Sequence, residues 1–229
     1  MGKLVPDIRG TLRNHMIELP KVISEASGVR IFGKRLKSFV FTTDVAVIRN
    51  TNADAVIAVY PFTPQPVITQ ALVLAADIPV FCGVGGGITT GFRVVNLALD
   101  AEFKGAMGVV VNNPTPNEVI KQMRDTIDIP IVVTVVSEFE DIEARIEAGA
   151  TILNVSGAKR TPEIVRKIRE KHPTFPIIAT GGPTEETIKA TIEAGANGIT
   201  YTPPTTSDIL GDIMINYRDK YEHHMPIGE

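Results

Sequence analysis

From position 38 onward, short runs of β-branched and apolar residues alternate with longer segments whose apolar positions recur at three- and four-residue spacing. The short runs predict strands at 38–42, 55–60, 80–83, 108–111, 131–135, 152–155, 177–180 and 198–202. Between them, PVITQALVLAAD, FRVVNLALDAEF, NEVIKQMRDTI, FEDIEARIEAGA, PEIVRKIREKH and EETIKATIEAGA carry the helical period, and a short VAVIRN follows the first strand. Such alternation predicts a parallel sheet with crossover helices. Eight strands select closure into a single-domain α/β architecture, a TIM-type (β/α)8 barrel, over an open doubly wound sheet.

An internal repeat supports this register. The segment from Ile129 aligns without gaps on the segment from Phe175, so that Pro130 matches Pro176 and the EAGA at 147–150 matches that at 193–196, 46 residues later. In each copy a helix ends at Ala-Gly, where glycine adopts the left-handed C-cap conformation, and the chain turns into the next strand. Proline at the strand start costs no ladder hydrogen bond. Residues 1–36 stand outside the repeat and form an N-terminal extension. Within it TLRNHMIELPKVISEA predicts a helix under the barrel, interrupted or ended by Pro20. The barrel is expected to occupy 37–222, leaving 223–229 as a tail.

Composition narrows the function classes. The 229 residues carry 44% hydrophobic and 21% charged side chains and a formal net charge of −3, so no global field favours nucleic acid or an anionic membrane surface. No run approaches the ~20 apolar residues of a membrane span, and the N-terminus lacks an apolar signal region. With one cysteine, Cys82, no intramolecular disulfide is available, which fits a cytoplasmic setting. The expected partner is a small-molecule ligand, with a homodimer expected from the prevalence of two-fold assemblies.

Barrels of this kind place their sites at the C-terminal strand ends. Here those ends carry mainly hydroxyl and amide groups, among them Asn112, Asn154, Thr180 and Thr202. The most distinctive end is ATGGPTEETIKATIEAGANGITY, where Gly181 and Gly182 follow the seventh strand and a capping-type Thr184 opens a helix. This segment resembles the β7–β8 region of the phosphate-binding barrels, the ribulose-phosphate-binding superfamily and its aldolase, epimerase and thiazole-synthase relatives. The resemblance implies a phosphorylated ligand held by Gly181, Gly182 and the segment after the eighth strand, here Thr202 through Ser207, including Thr205 and Thr206. The physical basis is a helix start with unpaired N–H groups, which attracts an anion. The sequence departs from the family at Pro203 and Pro204, which have no N–H to donate. Asp208 fits the cap of the final helix. Read without the resemblance, Gly181-Gly182 is a tight βα turn.

A second glycine cluster, Gly83–Gly91 with Gly85 and Gly86, lacks the Walker and dinucleotide patterns and is read as a ligand wall, a lid or a wide turn. Groups for acid–base chemistry are few. Asp44 ends the first strand, as a base or a helix cap. Glu138 follows the fifth strand at a helix-start position. Lys159 follows the sixth, as a reacting lysine or a solvated cation. No predicted strand contains lysine, whereas the aldolase relatives carry their Schiff-base lysine within a strand. Cys82 is a nucleophile candidate by location alone. His15, His172, His223 and His224 lie away from the strand ends, so no metal set emerges. The sequence predicts no bound cofactor, with a magnesium ion on Asp44 and Glu138, or a flavin phosphate at GGP, left open. Together these features predict an enzyme acting on a phosphorylated metabolite, a sugar phosphate, by isomerase, epimerase or lyase chemistry. The alternatives are a non-catalytic phosphometabolite-binding barrel and a hydrolase using Asp44 or Cys82.

Overall fold

The computed structural model describes residues 4–8, 10–11 and 16–222. An antiparallel pair, β1 (Val29–Ile31) and β2 (Lys34–Leu36), precedes eight parallel strands: β3 (Ser38–Phe41), β4 (Ala55–Ala58), β5 (Val80–Gly85), β6 (Gly108–Val111), β7 (Ile131–Val135), β8 (Ile152–Val155), β9 (Ile177–Thr180) and β10 (Gly198–Tyr201). β10 pairs with both β9 and β3, so the sheet closes in sequence order. Helices α1 (Val45–Arg49), α2 (Pro66–Ala75), α3 (Phe92–Phe103), α4 (Asn117–Arg124), α5 (Ile142–Ala148), α6 (Thr161–Lys171) and α7 (Glu185–Glu193) fill the connections, and α8 (Thr206–Glu222) follows β10. The chain is a TIM barrel.

The repeat works as its residues require. Gly149 and Gly195, which end the helices of the two copies, have φ of 125° and 110°. Pro79, Pro130 and Pro176 enter the ladder through their carbonyls, which accept from Val56, Val109 and Leu153 at 2.8, 2.9 and 3.0 Å. A missing N–H at these strand starts therefore removes no bond.

Alternate residues of each strand point inward. The inward set Phe39, Ala55, Ile57, Phe81, Val110, Val132, Ile152 and Ile178 forms one apolar cluster. At its centre Phe39 and Phe81 meet edge to face, with ring centroids 5.6 Å apart. Two strands make room for them with glycine. A Cβ on Gly108 would lie 2.6 Å from the Phe81 ring, and one on Gly198 would lie 2.8 Å from that of Phe39.

The N-terminal extension does cover the bottom, through a hairpin at residues 29–36; the helix expected over 11–26 does not form in its described part, 16–26, and residues 12–15 lie outside the described residues. Val29, Ile31 and Leu36 join the interior cluster and plug the barrel. Their alternation, VRI-FG-KRL, has the period of two that a strand needs, and Phe32 and Gly33 turn the chain at φ of 44° and 83°. Pro20 precedes only a single 3-10 turn, Lys21–Glu25. At the other end of the chain α8 stands apart, with Leu210, Ile215 and Tyr217 each more than half exposed. No helix among the described residues is long and apolar enough to cross a membrane. The tail at 223–229, His15, His223 and His224 lie outside the described residues.

Candidate active site in the barrel mouth

Two residues beyond the apolar cluster, the interior changes chemistry. On β7 the inward residue passes from Val132 to Thr134, on β8 from Ile152 to Asn154, on β9 from Ile178 to Thr180, and on β10 from Gly198 to Thr200; after β6 it passes from Val110 to Asn112. These side chains line a cavity of about 460 Å3 at the C-terminal ends of the strands. Its opposite wall stays apolar, built by Phe41 of β3 and by Ile57 and Val59 of and beyond β4.

The polar wall carries two separate hydrogen-bonded groups. Thr200 Oγ1 donates to Asn154 Oδ1 at 3.3 Å, and Asn154 Nδ2 donates to Thr134 Oγ1 at 3.5 Å. Thr180 Oγ1 donates to Ser156 Oγ at 3.3 Å. These bonds are long for hydroxyl and amide donors, so the groups remain available to a ligand. Thr134, Asn154 and Thr200 are each less than a tenth exposed, which makes exchanging one partner for another the only inexpensive event at this depth. Tyr60 is the titratable side chain in the lining, and its hydroxyl accepts from the Gln65 N–H at 2.9 Å.

The segments flanking the mouth hold the remaining candidates in several distinct settings. Gly181 packs its backbone against Ile188 and Ile199, where a Cβ would come within 2.7 and 2.8 Å. Gly182 has φ of 82° and lies beside Thr187. Thr184 then caps α7 in a reciprocal box with Thr187, and Glu186 is held below the usual carboxylate range by its own N–H and the Thr184 hydroxyl. After β10, Thr205 and Asp208 form a second box, in which Asp208 Oδ2 accepts from Thr205 N–H at 2.9 Å and from its hydroxyl at 2.7 Å. The Thr206 N–H donates to Asp44 Oδ2 at 3.2 Å. Both amides therefore already face carboxylates, while Ser207 is exposed in the first turn of α8.

Asp44 caps α1 as well, accepting from Ala46 and Val47 N–H at 2.9 and 3.3 Å. The Thr206 hydroxyl does most to hold its carboxyl below the ordinary range, with the Val47, Thr206 and Ala46 amides adding to it and partial burial opposing. Asp44 thus ties the start of α8 to α1 across the β10–β3 seam. Glu138 is gripped by Arg160 and Lys167 of the neighbouring α6 segment, and its side chain is 7% exposed. β3 and β7 stand four strands apart in the ring of eight, so Asp44 and Glu138 occupy opposite sides of the mouth. Among the described residues no cluster of three or more His, Cys, Asp or Glu is arranged to hold a metal. Lys159 is exposed on the 3-10 turn Ala158–Arg160 beyond β8, directly after Ala158, whose φ of 51° is strained for a residue with a Cβ. Cys82 is 2% exposed in the cluster between strands and helices, where burial pushes its thiol up to about 12.

The strand-end reading includes Tyr60, Thr134 and Ser156 and passes over Thr200 and the apolar wall. Stepping two residues along each strand from inward Gly198, Ala55 and Phe39 finds Thr200, Ile57 and Phe41; that signal is present in the sequence once the register is known.

No protein-family model matches the chain. It is similar to thiamine-phosphate synthase of Geobacillus thermodenitrificans (strain NG80-2), 33% identical over 114 residues that cover 45% of this chain and 48% of that protein, and to its counterpart in Geobacillus kaustophilus (strain HTA426), 32% identical over the same extent. The chain thus spans about half the length of the curated relatives it matches. Among solved structures it superposes on phosphonopyruvate hydrolase with a TM-score of 0.63 at 14% identity, covering 82% of this chain and 83% of that one. It also superposes on 2,3-dimethylmalate lyase, a member of the PEP mutase/isocitrate lyase superfamily, with a TM-score of 0.61 at 13% identity, covering 96% and 89%. A likeness of this depth is one of fold.

Proposed function

We propose that the protein is a small-molecule enzyme that takes a phosphorylated metabolite, a sugar phosphate, into the barrel mouth and acts on it by isomerase, epimerase or lyase chemistry. The observation that carries the reading is the roughly 460 Å3 cavity whose one wall is a buried set of neutral hydroxyl and amide groups. Such groups donate and accept without imposing charge, which suits a ligand rich in hydroxyls. The sequence relatives are named for making thiamine phosphate, and the fold neighbours for acting on phosphonopyruvate and dimethylmalate; all three names describe small compounds that bear phosphate, phosphonate or carboxylate groups.

In this reading the phosphate sits against Gly181, Gly182 and the first turn of α7, with Ser207 reaching it from α8. Asp208 and Asp44, which already accept from the Thr205 and Thr206 amides, repel the anion and leave it on the glycine side. Asn112, Asn154, Thr180 and Thr202 orient the ligand. Lys159 on the rim supplies the cation for developing negative charge, and Tyr60 the proton donor within the lining.

A second reading, a non-catalytic binder of the same ligand, draws on one observation. The described lining of the mouth contains no carboxylate, lysine or histidine. Calorimetric titration with a panel of sugar phosphates, followed by turnover assays on those that bind, separates the two. Binding that Asn154→Leu weakens at least tenfold, together with turnover lost in Lys159→Met, is the expected result. Binding without turnover of any bound compound favours the second reading, and no binding by the parent protein sinks both.

A further inference from the structure

Asn112 enters the mouth from the loop after β6 and also lines a smaller compartment of about 140 Å3 beside it. We infer that Arg145, on α5, is the residue that positions Asn112. Its guanidinium holds the loop from behind and so fixes where the Asn112 side chain stands in the mouth. This role rests on the proposed reading of the mouth only in that Asn112 there orients a ligand.

The loop runs Asn112-Asn113-Pro114-Thr115-Pro116 into α4. Its two prolines have no N–H, so it makes few bonds of its own. The Thr115 N–H donates to the Asn112 carbonyl at 3.0 Å, and the Asn112 N–H donates to the Gly85 carbonyl of β5 at 3.0 Å. Gly86, with φ of 104°, packs so closely that a Cβ there would come 2.4 Å from that of Asn112. Those contacts hold Asn112 from the β5 side. From the α5 side Arg145 donates to the Asn113 carbonyl at 2.7 Å, to the Thr115 carbonyl, and to Asn117 Oδ1 at 2.9 Å. One planar fork thus spans the loop and the first residue of α4.

The partners of Arg145 in this segment are all neutral oxygens, an arrangement that holds backbone and does not pair charge. Thr115 shows that the loop needs such a hold. It is 2% exposed, and its hydroxyl is buried without a partner. An orphaned hydroxyl favours turning the residue outward, and the Arg145 bond to the carbonyl of the same residue opposes that. Asn154 of β8 is fixed through its own side chain, by Thr134 and Thr200. The Asn112 side-chain amide makes no hydrogen bond among the described residues. Its direction therefore follows from its backbone, and so from whatever fixes the loop.

The test uses the full chain, with ribose 5-phosphate as the ligand and inorganic phosphate as the control. Calorimetry compares the parent with Arg145→Met, Arg145→Lys, Asn112→Ala and the double variant Arg145→Met/Asn112→Ala. Arg145→Met and Asn112→Ala should each weaken ribose 5-phosphate about tenfold, and the double variant should be no weaker than Asn112→Ala alone. Inorganic phosphate should stay within about twofold throughout. Arg145→Lys keeps the charge but loses the fork, so its affinity should fall with that of Arg145→Met. Without ligand, amide exchange at Asn112 and Thr115 should quicken about tenfold in both Arg145 variants, while exchange at Leu153 on β8 is unchanged. Additive losses in the double variant, parent-like affinity in Arg145→Lys, or unchanged exchange at Asn112 and Thr115 overturns the inference. Should Arg145→Met not fold, Arg145→Lys carries the same comparisons. Failure of the parent to bind ribose 5-phosphate counts against the reading of the mouth and leaves the exchange rates to decide the role of Arg145.

Discussion

The mouth of this barrel has two unlike walls. From β6 round to β10 each inward position past the core is a hydroxyl or an amide, whereas on β3 and β4 the same layer is Phe41, Ile57 and Val59. The backbones are equivalent members of one closed ladder, so the difference lies entirely in side chains. A ring scaffold lets one sector select polar edges and another select apolar faces while neither changes the fold. Below both walls the interior is uniformly apolar and tightly filled, and stability is concentrated there.

Breaking that lower layer has the largest expected effect. Phe81→Ala removes a fully buried ring that Gly108 leaves room for, and unfolding by urea should show a loss of ~3–5 kcal/mol. A loss below ~1 kcal/mol would mean that the centre of the barrel is not the stabilising layer. Next comes the polar wall. Asn154→Leu strands the hydroxyls of Thr134 and Thr200, costing ~1–3 kcal/mol in the same measurement. Ile57→Val on the apolar wall should cost only ~0.5–1.5 kcal/mol, so the ranking of these two variants tests whether the polar wall is the less replaceable.

The seam where the two walls meet gives a smaller effect. Asp44→Ala deletes the cap of α1 and the acceptor for Thr206, for ~1 kcal/mol. Because the folded carboxyl is held below its ordinary value of 3.8, its contribution is present above that pH and is lost as pH falls through the folded value. The gap between parent and variant should be flat from pH 7 to about 4 and shrink below; a gap that widens on acidification contradicts the assignment. Smallest at neutral pH is Cys82, on the outer side of β5. With a thiol pushed from 9.0 up to about 12, the folded protein should resist iodoacetamide at pH 8. Its cost appears only as pH rises above 9, where the unfolded chain ionises first. Cys82→Ala should therefore flatten the alkaline loss of stability relative to the parent, and an unchanged slope would place the thiol in contact with solvent.

The eight strands and their helices were legible because each is written in local periodicity, and because Ala-Gly and the strand-start prolines mark its ends. Asp208 was legible as part of a helix cap for the same local reason. The hairpin at Val29–Leu36 was harder to see: three-residue strands give the period of two too few repeats to stand out against a helical pattern beside them. Reading strand ends named Asn112, Asn154, Thr180 and Thr202, which line the cavity, and passed over Thr200, since burial inside a ring depends on which face each residue turns inward.

The sequence alone determined a closed (β/α)8 barrel, where glycine and proline interrupt it, and a scarcity of charged groups at its mouth, because these follow from residue type at short range. Only the tertiary structure decided which hydroxyls meet, that Asp44 reaches Thr206 from 162 positions away, that Glu138 is held by Arg160 and Lys167, and that one mouth wall is polar and the other is not. Those outcomes depend on strand register and ring closure, which bring distant positions within hydrogen-bonding range and which no local pattern encodes.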